Sequence, residues 1–311
     1  MVHYLLATEE QKELANIARS IMEKELKPRL GELEKKGEFP RDVLKTLAEA
    51  GFYGMGIPEC WGGLGFDKTT QAVIYEEMAQ IDAGFSFSFA LGCGIEPLQY
   101  TAISREEKQA WFNKVISGDV IVATALTEPG AGSDTKAIRT TATYDKAAGE
   151  FVLNGTKCFI TNGGVADVFF VSAYVDKSKG AAGIAQFFVE KERGVQVGKV
   201  EDKLGLKLSV TSELIFEDVR VPATHMVGSI LKFDPEEAKK LGLDNRRMGN
   251  SAILDGLAIA RVTTMVHALG IAQAALDEAV KYAKERRTFG KRIADHQGLG
   301  FLLADMQRRA D

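Results

Sequence analysis

The feature that most constrains this chain is a change of hydrophobic rhythm, made twice. Up to about residue 119 the apolar residues recur at helical spacing, as in Leu14, Ile17, Ala18, Ile21 and Met22. From Val120 they come in short β-branched and aromatic runs: Ile138–Tyr144, Glu150–Leu153, Lys157–Ile160, Val168–Val175, Ile184–Val189 and Thr211–Val219. From about Asn250 the helical period returns. Three blocks in that order predict an α+β chain. Its parts are an N-terminal α-helical domain (1–119), a middle antiparallel β domain closing as a small barrel (120–230), and a C-terminal helical-bundle domain (231–311).

Local signals sharpen the blocks. Thr8-Glu9-Glu10-Gln11 predicts an N-cap followed by an acidic first turn. Pro40 opens a second helix, Asp67 or Thr69 caps a third running through Ile81, and Ser104-Arg105-Glu106-Glu107 predicts a capping box. Asn154-Gly155, between two β runs, predicts a hairpin turn. Ile253 to Tyr282 contains no proline and predicts one helix of roughly thirty residues, about 45 Å long, ending near Arg286-Arg287. A further helix begins near Ala294. The charged stretch 232–247 reads as a partly helical surface insertion.

Charge and cysteine usage narrow the function classes. Lys+Arg 39 against Asp+Glu 43 gives a net charge of −4, which lacks the basic footprint of a nucleic-acid binder. Cys60, Cys93 and Cys158 show no metal-type or disulfide spacing, so reduced thiols in the cytoplasm are expected. The N-terminus reads as neither a secretory signal nor a transit peptide, and no uninterrupted apolar run approaches membrane-spanning length.

The chemistry is concentrated in Leu126-Thr127-Glu128-Pro129-Gly130-Ala131-Gly132-Ser133-Asp134, which follows the apolar strand Val120–Ala125. A loop with so little side-chain bulk lets backbone N–H groups approach a phosphate or a flavin edge. A bare Gly-x-Gly would more often be an ordinary tight loop between strands. The whole string resembles the first signature of the acyl-CoA dehydrogenase family. Four further segments are similar to that family in the same order. They are Ile57–Gly65, Asn154–Asn162, Leu204-Gly205, and Glu285-Arg286-Arg287-Thr288-Phe289-Gly290-Lys291. The resemblance covers essentially the whole chain.

That resemblance implies FAD as cofactor, with Thr124, Leu126, Thr127, Gly132, Ser133, Phe159, Ile160 and Thr161 along it. The Thr161 hydroxyl would lie near flavin N5, and Phe159 stands where the family often has Trp. Arg286, Thr288, Phe289, His296 and Gln297 would reach the FAD of a neighbouring subunit in a homotetramer. Ser133 and Arg261 would contact the CoA part of the substrate. The family often places Asp three residues before that Arg; here it is Ala258, with Asp255 one turn earlier. Asp255 is either part of a reorganised CoA contact or only an acid near a helix N-terminus.

The implied reaction is α,β-desaturation of an acyl-CoA in fatty acid metabolism, with electrons passed to electron-transfer flavoprotein. The family's usual base, a Glu, is expected beyond Asp311, and the minority base position is Ala260 here, so no base is named. Glu128 belongs to the flavin loop without a proton-transfer role. Lys157, His267 and His296 read as surface or helix-packing residues. The alternatives are an acyl-CoA oxidase, a flavin monooxygenase on the same fold, or a non-catalytic flavin- or CoA-binding subunit.

Overall fold

A computed structural model describes residues 7–228 and 250–310, with side chains in the last block from residue 256 onward. The charged stretch 232–247 and the Asp255 side chain lie outside the described residues. The three blocks appear in the expected order.

The first block is helical. α1 (Glu9–Ile21) starts at Thr8, whose side chain accepts from the Gln11 amide while Gln11 reaches back to the Thr8 amide, completing a capping box. A π turn (Met22–Leu26) and a 3₁₀ turn lead into α2 (Leu30–Lys36). α3 (Arg41–Glu49) follows Pro40 and buries Val43, Leu44 and Leu47. α4 (Lys68–Gly92) is capped by Asp67, and α5 (Arg105–Ile116) by Ser104, which makes only the Ser half of the expected box.

α4 runs well past Ile81, where the sequence pattern had it stop. It kinks at Asp82 (φ −154°, ψ 111°) and restarts, because Asp82 Oδ1 accepts from the Phe85 amide at 2.6 Å and so caps a second helical run. Burial pushes the Asp82 carboxyl up to about 6, with Glu34 adding to the effect and the Phe85 amide and Lys203 opposing it. A carboxyl raised in the fold holds its proton longer than in the unfolded chain. Its stabilising effect is therefore greatest in acid and is lost as pH rises through about 6. Asp82→Asn keeps the acceptor for Phe85 and removes the buried charge. It should stabilise the protein by about 1–3 kcal/mol at about pH 7.5 and flatten the pH profile of stability between about pH 4 and 6. Denaturant unfolding at both ends of that range measures this; an Asn variant weaker than its parent at the higher pH refutes it.

The middle block is one eight-stranded sheet in the order β6-β7-β3-β2-β4-β5-β8, with β1 paired to β4. The strands are β1 (Val122–Ala125), β2 (Thr141–Asp145), β3 (Glu150–Thr161), β4 (Val168–Tyr174), β5 (Ile184–Glu190), β6 (Gln196–Val200), β7 (Thr211–Pro222) and β8 (Met226–Val227). Two details depart from a closed antiparallel barrel. β4 runs parallel to β1 and to the start of β2, and β6 and β8 stand at opposite ends of an open path. A barrel needs its end strands to pair, and here one of them is a two-residue strand.

Asn154-Gly155 is not a hairpin turn. It sits inside the continuous strand β3 at a register shift against β7. Asn154 and Asp218 bond reciprocally there, at 3.0 and 2.9 Å, and a Cβ on Gly155 would come within 2.8 Å of Thr140 Cα. The glycine is used for close approach of two strands rather than for chain reversal.

The last block carries α6 (Asn250–Glu285), a small hairpin of β9 (Arg287–Thr288) and β10 (Lys291–Arg292), and α7 (Gln297–Ala310). α6 crosses α4 closely: a Cβ on Gly270 would fall 2.7 Å from Ala79 Cβ and from the Glu76 carbonyl oxygen. His267 pins the crossing. Its Nε2 lies 3.0 Å from Ser86 Oγ, and its Nδ1 lies 2.7 Å from the Thr263 carbonyl. Burial holds its imidazole below the ordinary value. The reading of His267 as a helix-packing residue therefore holds. By length and composition alone, Gly256–Glu285 could cross a membrane, although charged residues such as Arg261 and Asp277 interrupt its apolar run. Here that helix packs on α4.

Candidate functional site

The candidate site is built where β1 leaves the sheet. β1 is held between Asn162 and β4, so Leu126 and Thr127 emerge at a fixed place. The chain then reverses at once: the Glu128 amide donates to Ala131 O at 2.9 Å and the Ala131 amide to Glu128 O at 3.0 Å. The Cys158 amide donates to Thr127 O at 2.9 Å, tying the loop to β3. Thr124, Leu126, Thr127, Gly132, Ser133, Phe159, Ile160 and Thr161 thus belong to two adjoining segments. Gly132, Ser133 and Phe159 are exposed, whereas Ile160 is buried and Thr161 half-buried.

An ion pair underlies this loop. Lys157 on β3 is completely buried, and its ammonium donates to Glu128 Oε1 at 2.8 Å and to the Leu126 carbonyl at 3.0 Å. Glu128 also accepts from the Arg139 amide (2.6 Å), the Thr140 amide (3.0 Å) and the Thr140 hydroxyl (2.5 Å). Burial alone would raise the Glu128 carboxyl, but donors from Lys157, Thr140 and Arg139 outweigh it and hold the carboxyl below its ordinary value. Burial draws the Lys157 ammonium down, with Glu128 opposing. Lys157 is therefore neither a surface nor a helix-packing residue, in contrast to its sequence reading. A single lysine in a β run carries no sign of its partner, and Glu128 stands 29 residues away.

Two glycines of the loop are not required by the chain itself. A Cβ added at Gly130 or at Gly132 would meet nothing within 4 Å, and neither position has the left-handed backbone that favours glycine. The bare surface they leave is open space on a loop whose turn is fixed by the Glu128–Ala131 pair, which leaves room for a phosphate or a flavin edge. Phe159 fits the same use. It is 64% exposed and has φ 57°, an uncommon conformation for an aromatic residue, so the bulge in β3 presents its ring outward.

The second set lies after α6. Phe289 and Gly290, at φ 50° and 79°, turn the β9–β10 hairpin, with Phe289 96% exposed. Thr288 Oγ1 lies 3.2 Å from His296 Nε2, and the Ile293 amide donates to Arg286 O at 2.8 Å. Arg286, Phe289, His296 and Gln297 therefore gather around one hairpin, with Arg286 and Gln297 exposed. Arg261 is exposed on α6, Ala258 likewise, and Ala260 is half-buried. Among the described residues no cluster of three or more His, Cys, Asp or Glu could hold a metal ion.

Comparison with known proteins agrees with this layout. Family models of the acyl-CoA dehydrogenase N-terminal, middle and C-terminal domains match residues 8–119, 123–219 and 247–311. The chain is 39% identical to the acyl-CoA dehydrogenase of Bacillus subtilis over 307 residues, covering 98% of this chain and 76% of that protein. It is 38% identical to the caffeyl-CoA reductase-Etf complex subunit CarC of Acetobacterium woodii over 308 residues, with the same coverage of each. The butyryl-CoA dehydrogenase structure from Megasphaera elsdenii superposes with a TM-score of 0.86 at 34% identity, covering 98% of this chain and 76% of that one. Three domain models in order, with relatives at this identity over nearly the whole length, show that the chain belongs to the acyl-CoA dehydrogenase family of FAD-dependent oxidoreductases.

Proposed function

We propose that this protein is an acyl-CoA dehydrogenase that introduces an α,β double bond into an acyl-CoA thioester and passes the electrons to electron-transfer flavoprotein. The observation that carries the reading is the open, glycine-lined face at Gly130 and Gly132, braced from beneath by the Glu128–Lys157 pair. Desaturation removes a proton from the α-carbon and a hydride from the β-carbon as the C=C bond forms. FAD, when bound, would accept that hydride.

This chain's residues would hold and orient the partners. The open loop face at Gly130, Gly132 and Ser133 would hold the flavin, the Thr161 hydroxyl would donate near the atom that gains charge, and Phe159 would cover one edge. Ser133 and Arg261 contact the CoA arm. Neither Glu128 nor position 260 supplies a proton-abstracting carboxylate: the first is committed to four hydrogen bonds and the second is Ala260. All three cysteines are free thiols, which accords with a cytoplasmic setting.

The Arg286 set completes the reading. Exposed Arg286 and Gln297, on either side of the β9–β10 hairpin, suit the pyrophosphate of a neighbouring subunit's FAD in a homotetramer. Arg286→Ala should weaken FAD retention about tenfold or more while leaving unfolding of the β domain nearly unchanged. Flavin release followed by gel filtration, alongside thermal unfolding, checks this; a monomer that holds FAD tightly contradicts it.

The likeness to a caffeyl-CoA reductase subunit favours a second reading, the same chemistry run toward reduction of an enoyl-CoA. The flavin midpoint potential separates the two, because a potential well below that of the enoyl/acyl couple drives reduction. The reading as a whole is tested by flavin uptake. FAD should bind in preference to FMN, and acyl-CoA thioesters should perturb its absorbance. Uptake of FMN alone, or of no flavin, overturns it.

A further inference from the structure

The end of β3 is held in an uncommon way. Two of its last residues and neighbours, Phe159 and Asn162, are non-glycine residues in the left-handed region, at φ 57° and 65°. They bracket Ile160 and Thr161, and the register against β7 shifts between Lys157 and Ile160. Phe159 is turned outward, but Asn162 is completely buried. Asn tolerates this backbone better than most residues, and a glycine would tolerate it best. The local fold therefore explains a small residue at 162 without explaining an amide side chain.

Every polar group of that side chain is used. Asn162 Oδ1 accepts from Ser88 Oγ at 2.6 Å, and Asn162 Nδ2 donates to the Ser88 carbonyl at 2.9 Å and to the Val122 carbonyl at 3.4 Å. The Asn162 amide donates to Val210 O at 2.7 Å. Those bonds reach α4, β1 and the segment entering β7. Gly92, one turn beyond Ser88 on α4, leaves the room: a Cβ there would stand 3.2 Å from Asn162 Nδ2. α4 is thus latched to the residue directly after Thr161, and β1 is latched to it at Val122, where the strand that leads to Leu126 begins.

We propose that Asn162 and Ser88 form a positioning clamp that sets the Thr161 hydroxyl and the Phe159 ring relative to the flavin, and that this clamp couples α4 to the flavin face. The proposal rests on the reading that Thr161 and Phe159 face FAD, and it adds residues that position them without touching the cofactor. Rotation of the Asn162 backbone would swing Thr161, its immediate neighbour. Ser88 opposes that rotation from a different element, 74 residues away in the chain. Any displacement of the second half of α4 is passed to the same point.

The test compares Asn162→Gly, which keeps the backbone conformation and loses the clamp, with Ser88→Ala, which removes one hydroxyl and leaves Oδ1 without its donor. Both are loaded with FAD. Asn162→Gly should release FAD about tenfold more readily, with a changed flavin absorbance envelope and a displaced midpoint potential. Ser88→Ala should move all three in the same direction by less. Joined with Asn162→Gly it should add nothing, because the two act as one unit. If Asn162→Gly fails to fold, Ser88→Ala alone still reads the clamp. Variants with lowered thermal stability but unaltered flavin affinity, spectrum and potential overturn the clamp and leave a structural role only. A parent protein that takes up no FAD overturns the flavin reading instead.

Discussion

Lys157→Met should destabilise the protein by about 3–5 kcal/mol and abolish tight FAD binding, although the side chain is completely hidden from solvent. The substitution leaves the Glu128 carboxylate buried without its countercharge and the Leu126 carbonyl without its donor. A buried charge that loses its partner costs far more than the pair itself contributes. The double variant Lys157→Met with Glu128→Leu removes both charges and should recover much of the stability. It should not recover flavin binding, since the Glu128 side chain is what ties the loop to Arg139 and Thr140. Denaturant unfolding and FAD titration of the three proteins separate these effects. A single variant within about 1 kcal/mol of its parent would falsify the argument.

The pair also has a pH signature. Glu128 is held below its ordinary value in the fold. Its contribution is therefore fully present above the unfolded carboxylate range and is lost as pH falls through the lowered value. Asp82 works in the opposite sense, so acid weakens the loop around Glu128 while it removes the cost of the buried Asp82 charge.

The second large effect concerns proton transfer. Reduction of FAD by acyl-CoA thioesters requires a base that residues 1–311 supply at neither Glu128 nor Ala260, so these residues by themselves, loaded with FAD, should bind the thioesters yet leave the flavin oxidised under anaerobic conditions. Abstraction of an α-proton needs a base within hydrogen-bond reach, and a positioned base contributes about 10²- to 10⁴-fold. Ala260 precedes the exposed Arg261 on α6, and the family resemblance puts a minority base at that position. Ala260→Glu should then raise the rate of flavin bleaching by at least about 10²-fold. The rate is read from flavin absorbance after mixing with thioesters of several chain lengths. Rapid bleaching by the parent would sink the argument and direct the search to another carboxylate, beginning with Asp255.

What the sequence made legible follows from where the forces act. Thr8, Asp67 and Ser104 were readable as caps because a cap is decided by residues three positions apart. The loop 126–134 was readable as a family signature because its residues are consecutive in the chain. Lys157 was misread because its partner lies on another segment, and burial is a property of the assembled sheet. Asn154-Gly155 carried the strongest local hairpin signal and lost to long-range pairing: β3 gains more by continuing alongside β7 than by turning back. Asp82 was missed because it ends one helical run and caps the next, which leaves the hydrophobic period almost intact. The open ends of the sheet and the parallel β1–β4 pairing come from topology, which periodicity does not encode.

The crossing of α4 and α6 at Gly270 and His267 bears on how the chain acquires its shape. Ser86 and His267 are 181 residues apart, yet they touch. The helical body is therefore discontinuous, and the β domain is the insert that separates its halves. Contacts of such long range form slowly, because the chain between them must first give up its freedom. Compaction of the β domain removes most of that freedom beforehand and brings the two ends toward each other. During synthesis, α4 leaves the ribosome long before α6 and must wait with its apolar crossing face uncovered. A bulky residue at position 270 would prolong that wait, so its damage should show as poor folding yield and aggregation before it shows in the properties of molecules that do fold.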